Sequence, residues 1–203
     1  MLRRIMLGVL AVALPVGLLT VVIAPNLAAA ASIGKTGTGT GTGTGTYNCS
    51  DITGTITFSP PLTATSKGTA TETETYNFSS SGCTGGSPAV VSSTGLSKKT
   101  RTSKGLGNCS SLSNDKAPAP KFTTEYSNGA SNSTIKGGAG GATAPNGNAE
   151  FVQKNATVTG SYPSATADTT AVLTETDAQI GAQCESAGGL STLTISSGHS
   201  KNI

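Results

Sequence analysis

Two glutamates, Glu72 and Glu74, are the residues of this 203-residue chain whose types and spacing best match a known chemistry. Glycoside hydrolysis uses two carboxyl groups that lie roughly 5–10 Å apart in a cleft. At positions i and i+2 of a strand, both side chains point to the same face, roughly 7 Å apart. The neighbouring Thr residues, with no aromatic or apolar cleft evident nearby, favour a solvent-facing strand instead. We therefore assign no catalytic residue.

Other catalytic, cofactor and metal sites are not indicated. A Ser-His-Asp triad would have to use His199, the sole histidine, which lies close to the C-terminus between Gly198 and Ser200. Gly137–Gly141 has the glycines of a phosphate loop but lacks a preceding strand and a following helix with Lys and Ser/Thr. The aspartates are too widely separated for a calcium loop. The sequence predicts no enzyme, no cofactor and no metal.

The cysteines predict two disulfides. Zinc sites use closely spaced Cys and His pairs, which this chain lacks, whereas an even number of cysteines in an exported protein is typical of disulfides. Three connectivities are open to four cysteines. If a strand over 52–59 pairs antiparallel with one over 69–78, Cys49 falls near Cys83, which leaves Cys109 for Cys184. A disulfide that closes a loop of roughly 35 residues contributes about 3–4 kcal/mol.

The N-terminal region has the pattern of a secretory signal. Arg3 and Arg4 precede an apolar run and then a series of alanines, so residues 1–31 are predicted to be a signal peptide cleaved after Ala30 or Ala31. A retained membrane anchor is the alternative, because the apolar run is long for a signal. We expect a secreted, extracellular protein with no stable membrane insertion after cleavage.

The remaining chain divides into a spacer and a domain. Residues 32–46 contain a strict Gly-Thr alternation and are predicted to be a flexible, low-complexity spacer. Residues 47–203 are predicted to be a disulfide-stabilised domain. Without residues 1–31 the chain has 11 basic and 10 acidic residues. This balance argues against a nucleic-acid partner, which normally requires clustered Lys and Arg.

The fold class is predicted to be all-β. Ile52, Ile56 and Phe58 alternate with threonines, and Thr69–Phe78 alternates in the same way, which is typical of strands. About seven short strands, separated by Gly, Ser, Asn and Pro clusters, predict an antiparallel β-sandwich. One short helix near the C-terminus is predicted to end at Ser186, because Thr174 or Thr176 can cap it and Gly188 follows.

The chain resembles small secreted proteins of high-GC Gram-positive bacteria that are described only as hypothetical exported proteins. The residues that carry this resemblance lie between Cys49 and Gly198, and include Gly54-x-Ile56-x-Phe58, Gly82-Cys83-Thr84, Val158-x-Gly160-x-Tyr162 and Cys184 followed by Gly189-Leu190. The resemblance implies export and a disulfide-held β domain. It implies no catalytic residue.

Two functions are compared. The first is a secreted, non-catalytic structural or interaction module at or outside the cell surface, with a cell-wall component or a protein as its partner. The second is a small extracellular carboxylate-dependent hydrolase that acts on glycans through Glu72 and Glu74. The two differ in one observable respect, which is whether these carboxylates line a concave pocket or an open strand face.

Overall fold

The structure is a computed structural model that describes residues 41–65, 68–104, 106–112, 120–143 and 147–203. The predicted signal peptide and residues 32–40 of the predicted spacer lie outside these ranges. The strands are β1 Thr44–Leu62, β2 Thr69–Ser87, β3 Ser93–Lys104, β4 Phe122–Tyr126, β5 Ser133–Lys136, β6 Ala139–Thr143, β7 Asn148–Gly160, β8 Ser164–Thr176 and β9 Leu190–Asn202. A 3₁₀ turn spans Cys109–Ser111, and the helix α1 spans Asp177–Glu185.

The strands form an eight-stranded antiparallel barrel, so the predicted β-sandwich of about seven strands is wrong. Strands that are adjacent in sequence pair with each other, except for β5 and β6, and β9 pairs with β1. The sheet closes because β5 also pairs with β7, where Ile135 lies opposite Val158. Strands β5 and β6 pair with successive parts of β7 and so occupy one position in the barrel wall. An alternating strand with one apolar face fits a sandwich or a barrel equally well, and closure depends on distant pairings.

The all-β class, the short helix and the two disulfides are confirmed. Helix α1 begins where the sequence indicates, because Thr176 caps it and Gln179 reaches back to the Thr176 backbone. Cys49 and Cys83 lie opposite each other on β1 and β2, with their Cα atoms 3.9 Å apart. Cys109 and Cys184 join the 3₁₀ turn to α1.

The barrel interior contains the apolar core, and its outer wall carries the hydroxyl side chains. Ile52, Ile56 and Phe58 of β1 point inward and are buried, whereas the threonines at 53 and 57 are exposed. Inward residues of β8 and β9, such as Leu173 and Leu193, complete the same core. The strand period of two therefore separates a small apolar interior from a Thr-rich exterior.

Two long strands have no counterpart in the sequence prediction. β3 was not expected because its inward side carries Lys99 and Arg101, and β8 was not expected because it is rich in Ala and Thr. The sequence also favours a strand over Ala89–Ser93, but most of this segment is a turn and irregular chain that lead into β3, which begins at Ser93. β1 also continues past Pro60 to Leu62.

Candidate functional site

Glu72 and Glu74 lie inside the barrel, so the prediction that this stretch faces solvent is wrong. Glu72 is 1% exposed and Glu74 is 7% exposed. The alternation of β2 is as predicted, but its threonines, not its glutamates, form the outer face. Outside the barrel the hydroxyls of Thr71 and Thr73 pair with those of Thr102 and Thr100 on β3, at 2.8 and 3.0 Å.

The two carboxylates share one arginine. In the antiparallel register of β2 and β3, Glu72 lies opposite Arg101 and Glu74 lies opposite Lys99. Arg101 donates from one terminal guanidinium nitrogen to Glu72 Oε1 at 3.3 Å, and the same nitrogen contacts Glu74 Oε1. We call Glu72, Glu74, Tyr76, Lys99 and Arg101 the ionic cluster.

The remaining carboxylate oxygens also have partners. The backbone N–H of Gly107 donates to Glu72 Oε2 at 2.8 Å, and the Tyr76 hydroxyl donates to Glu74 Oε2 at 2.9 Å. All four oxygens of the pair therefore accept a hydrogen bond from the protein itself. The buried Nε of Arg101 has no hydrogen-bond partner among the described residues, so the network satisfies the two carboxylates but not the whole guanidinium group.

Burial sets the protonation behaviour of the ionic cluster. It raises the pKa of Glu72, with a further contribution from neighbouring Glu74, although the Gly107 N–H and Arg101 act in the opposite direction. Burial also raises the pKa of Tyr76. The pKa of Lys99 is lowered by burial and by the charge of Arg101.

The ionic cluster lies at an incompletely paired part of the barrel wall. β3 pairs with β2 along its whole length, but its pairing with β4 ends at Leu96. Beyond Leu96, β3 has no second partner strand within the described ranges. Charged residues that point inward at such an edge, together with exposed Lys98 and Lys104, oppose pairing with another chain. The cluster therefore has a structural explanation that requires no substrate.

The barrel interior also contains a small cavity, which is separate from the two carboxylates. It leaves about 30 Å³ in which the centre of a water molecule can move. Its lining includes Tyr76, Phe122 and Phe151 but neither Glu72 nor Glu74. Pockets that bind organic ligands are typically about 300–1,000 Å³, so this cavity has no room for a sugar.

Three tyrosines fill the opposite end of the barrel. β1 runs from Tyr47 at this end to Leu62 at the end near the ionic cluster, and Tyr126 and Tyr162 meet Tyr47 there. The ring centroids are 4.8–5.8 Å apart and the rings pack edge to face. Burial raises the pKa of Tyr47 and of Tyr126. We call Tyr47, Tyr126 and Tyr162 the tyrosine cluster.

The end of the Gly-Thr tract crosses the tyrosine cluster. The backbone N–H of Tyr162 donates to Gly43 O at 2.6 Å, and the N–H of Gly43 donates to Ser161 Oγ at 3.1 Å. A Cβ atom at position 43 would overlap the Tyr162 ring. Residues 41–46, which we call the strap, therefore pack on the barrel, and β1 begins at Thr44, before the predicted domain start at Tyr47.

The other candidate residues are dispersed. His199 is exposed on β9, opposite Thr170 of β8. The Glu175 carboxylate accepts the backbone N–H of Thr194 at 3.0 and 3.2 Å. In the part of the chain that the structure describes, no three His, Cys, Asp or Glu side chains come together as a metal site. No helix among these residues is long and apolar enough to cross a membrane.

Sequence reasoning missed Arg101 and Lys99, the partners of the glutamates. The sequence favours a solvated loop for the basic run from Lys98 to Lys104, whereas the structure places this run in β3. Lys99 and Arg101 are two residues apart, as are Glu72 and Glu74, and the two pairs have opposite charges. This matched spacing of opposite charges was the available signal that the two segments pair as strands. The strap over Tyr162 had no comparable signal.

Comparisons with protein-family models, with curated proteins and with solved structures find no match to this chain.

Proposed function

We propose that this protein is an exported, non-catalytic barrel that serves as a structural or interaction module at or outside the cell surface. The observation that carries the proposal is the use of all four oxygens of Glu72 and Glu74 within the fold. A glycosidase needs one carboxyl group as a proton donor and another as a base or nucleophile, each facing the substrate. Here both face Arg101, Gly107 and Tyr76 instead.

The two disulfides support the exported location. Disulfides persist in oxidising environments outside the cytosol and are rare within it. The chain also has few large apolar residues for its length, so the covalent links supply stability that a larger core would otherwise give. A module of this kind contacts other molecules through its outer wall, which carries paired threonine hydroxyls on β2 and β3.

The test is fractionation of a high-GC Gram-positive host that produces the full chain, combined with an assay of glycan hydrolysis. We expect the protein in the culture supernatant or the cell-wall fraction, without its first 30 or 31 residues. Recovery only in the cytosolic or membrane fraction would overturn the secretion proposal.

The hydrolysis assay measures sugar release from cell-wall glycans by the purified, disulfide-bonded protein. We expect no release above background from the wild type, from Glu74→Gln or from Glu185→Gln, an exposed control on α1. Release by the wild type and by Glu185→Gln that disappears in folded Glu74→Gln would establish the hydrolase instead. Circular dichroism of each variant shows that it is folded.

A further inference from the structure

The interior cavity is lined by one buried hydroxyl group that has no hydrogen-bond partner among the described residues. Thr124, at the centre of β4, points into the barrel and is 2% exposed. Its hydroxyl oxygen is buried and has no hydrogen-bond partner among the residues that the structure describes. An unpaired buried hydroxyl is unfavourable, because it has lost its contacts with water and gained none in return.

The surroundings of Thr124 are suited to a small polar ligand. The cavity lining is largely aromatic and aliphatic, but it also includes Ser80, Ser93 and Gln153, each of which is almost fully buried. Gln153 donates from Nε2 to the backbone oxygen of Gly137 at 2.9 Å, which anchors its side chain at the cavity wall. These groups offer both donors and acceptors around one interior space.

The size of the space limits the ligand. A water molecule needs roughly 10–15 Å³ of volume for its centre, together with two to four polar partners. The cavity provides about 30 Å³, which is sufficient for one or two waters and too small for a larger metabolite. Purely apolar cavities stay dry, but a cavity with an unpaired hydroxyl does not meet that condition.

We propose that the barrel binds a long-lived internal water at Thr124 Oγ1. The water hydrogen-bonds to the Thr124 hydroxyl and is enclosed by the side chains of Ser80, Ser93 and Gln153. It is thus a structural component of the core, held between the ionic cluster and the tyrosine cluster. This inference is independent of the role proposed above, because it concerns the interior and not the outer wall.

The test is NMR detection of water in the intact, disulfide-bonded protein. Cross-relaxation between a long-lived water and the backbone amides of Thr124 and of Gly95, its register partner on β3, is expected in the wild type. The signal should persist in Thr124→Ser, which keeps the hydroxyl. It should disappear in Thr124→Val, which keeps the branched shape without the hydroxyl.

Thr123→Val is the matched control, because Thr123 is the neighbouring residue on the exposed face of β4. It should leave the water signal unchanged. Thermal melting gives a second measurement: a bound water that loses its partner lowers the Tm of Thr124→Val by roughly 2–4 °C, whereas a dry cavity gives an equal or higher Tm. Absence of a long-lived water in the wild type, or its persistence in Thr124→Val, would overturn the proposal.

Discussion

The two ends of the barrel are stabilised by different physical interactions. At one end the ionic cluster encloses two buried carboxylates with Arg101, Tyr76 and the Gly107 N–H. At the other end the tyrosine cluster packs three aromatic rings beneath the strap. A chain with few large apolar side chains thus completes its core with charge pairs at one end and with aromatic rings at the other. The two ends should respond differently to pH and to substitution.

Reduction of the disulfides is expected to have the largest effect, because one bridge stabilises each half of the molecule. The bridges join cysteines 34 and 75 residues apart, and the chain-entropy model gives about 4 kcal/mol for each. Together they are comparable with the whole stability of a typical domain, about 5–15 kcal/mol. Circular dichroism should show unfolding when a thiol reductant is added. Retention of the folded spectrum after complete reduction would show that the two ends are stable without the bridges.

Alkaline titration of the buried tyrosines is expected to have the second-largest effect on stability. The pKa values of Tyr47, Tyr76 and Tyr126 are raised above their usual value of 10.0. Their contribution to stability is complete below pH 10 and is lost as the pH rises through the folded pKa, by about 1.4 kcal/mol per tyrosine for each pH unit. Tyrosinate absorbance should therefore rise together with unfolding. Tyrosinate formation near pH 10 in a protein that remains folded would contradict this.

Arg101→Met tests the ionic cluster. The substitution leaves two buried carboxylates without their shared cation, and we expect a loss of about 3 kcal/mol in the free energy of unfolding at pH 7. The loss should shrink at acid pH, where protonation removes the unpaired charges. Lys98→Met, on the exposed face of β3, is the control and should change stability little. Equal urea midpoints for the two variants would show that Arg101 does not stabilise the cluster.

Gly43→Ala tests the tyrosine end. A methyl group at position 43 meets the Tyr162 ring, whereas the same group at position 41 meets nothing within 4 Å. We expect Gly43→Ala to cost about 2 kcal/mol and Gly41→Ala to have little effect, as measured by thermal melting. Similar Tm values for the two variants would indicate that the strap does not pack closely against the Tyr162 ring.

The pH dependence of Glu72 is expected to be the smallest effect, because the Gly107 N–H and Arg101 oppose the influence of burial. The raised pKa means that the folded protein retains a proton just above pH 4.5, where the unfolded chain has released it. This contribution to stability is present below pH 4.5 and is lost as the pH rises through the folded pKa. Urea unfolding at several pH values should show this slope in the wild type. The slope should be absent in Glu72→Gln, and an unchanged slope would assign it to another group.

Strands and helices could be predicted where the sequence pattern lies within the element itself. The alternation in β1 and β2 also predicted the register that places Cys49 opposite Cys83. The two threonines at 174 and 176 predicted the start of α1, and the structure shows that Thr176 is the cap. These features depend on the period of two and on end capping, both of which are local.

The features that depend on distant partners could not be predicted in this way. Closure of the barrel needs the pairing of β5 with β7, and both are short or rich in polar residues. The burial of Glu72 depends on Arg101, 29 residues away, and a charged residue is usually exposed unless it has such a partner. The two glutamates were thus assigned to the correct strand but to the wrong face of the sheet.

The strap has a consequence for how the Gly-Thr repeat can change in length. Because Gly and Thr alternate strictly from Thr36 to Thr46, a shift of two residues brings an identical Gly-Thr unit over Tyr162. A shift of one residue brings a threonine there instead, where even a Cβ atom overlaps the ring. Gain or loss of whole repeat units thus preserves the contact, so the number of units can vary while the end of the barrel stays covered.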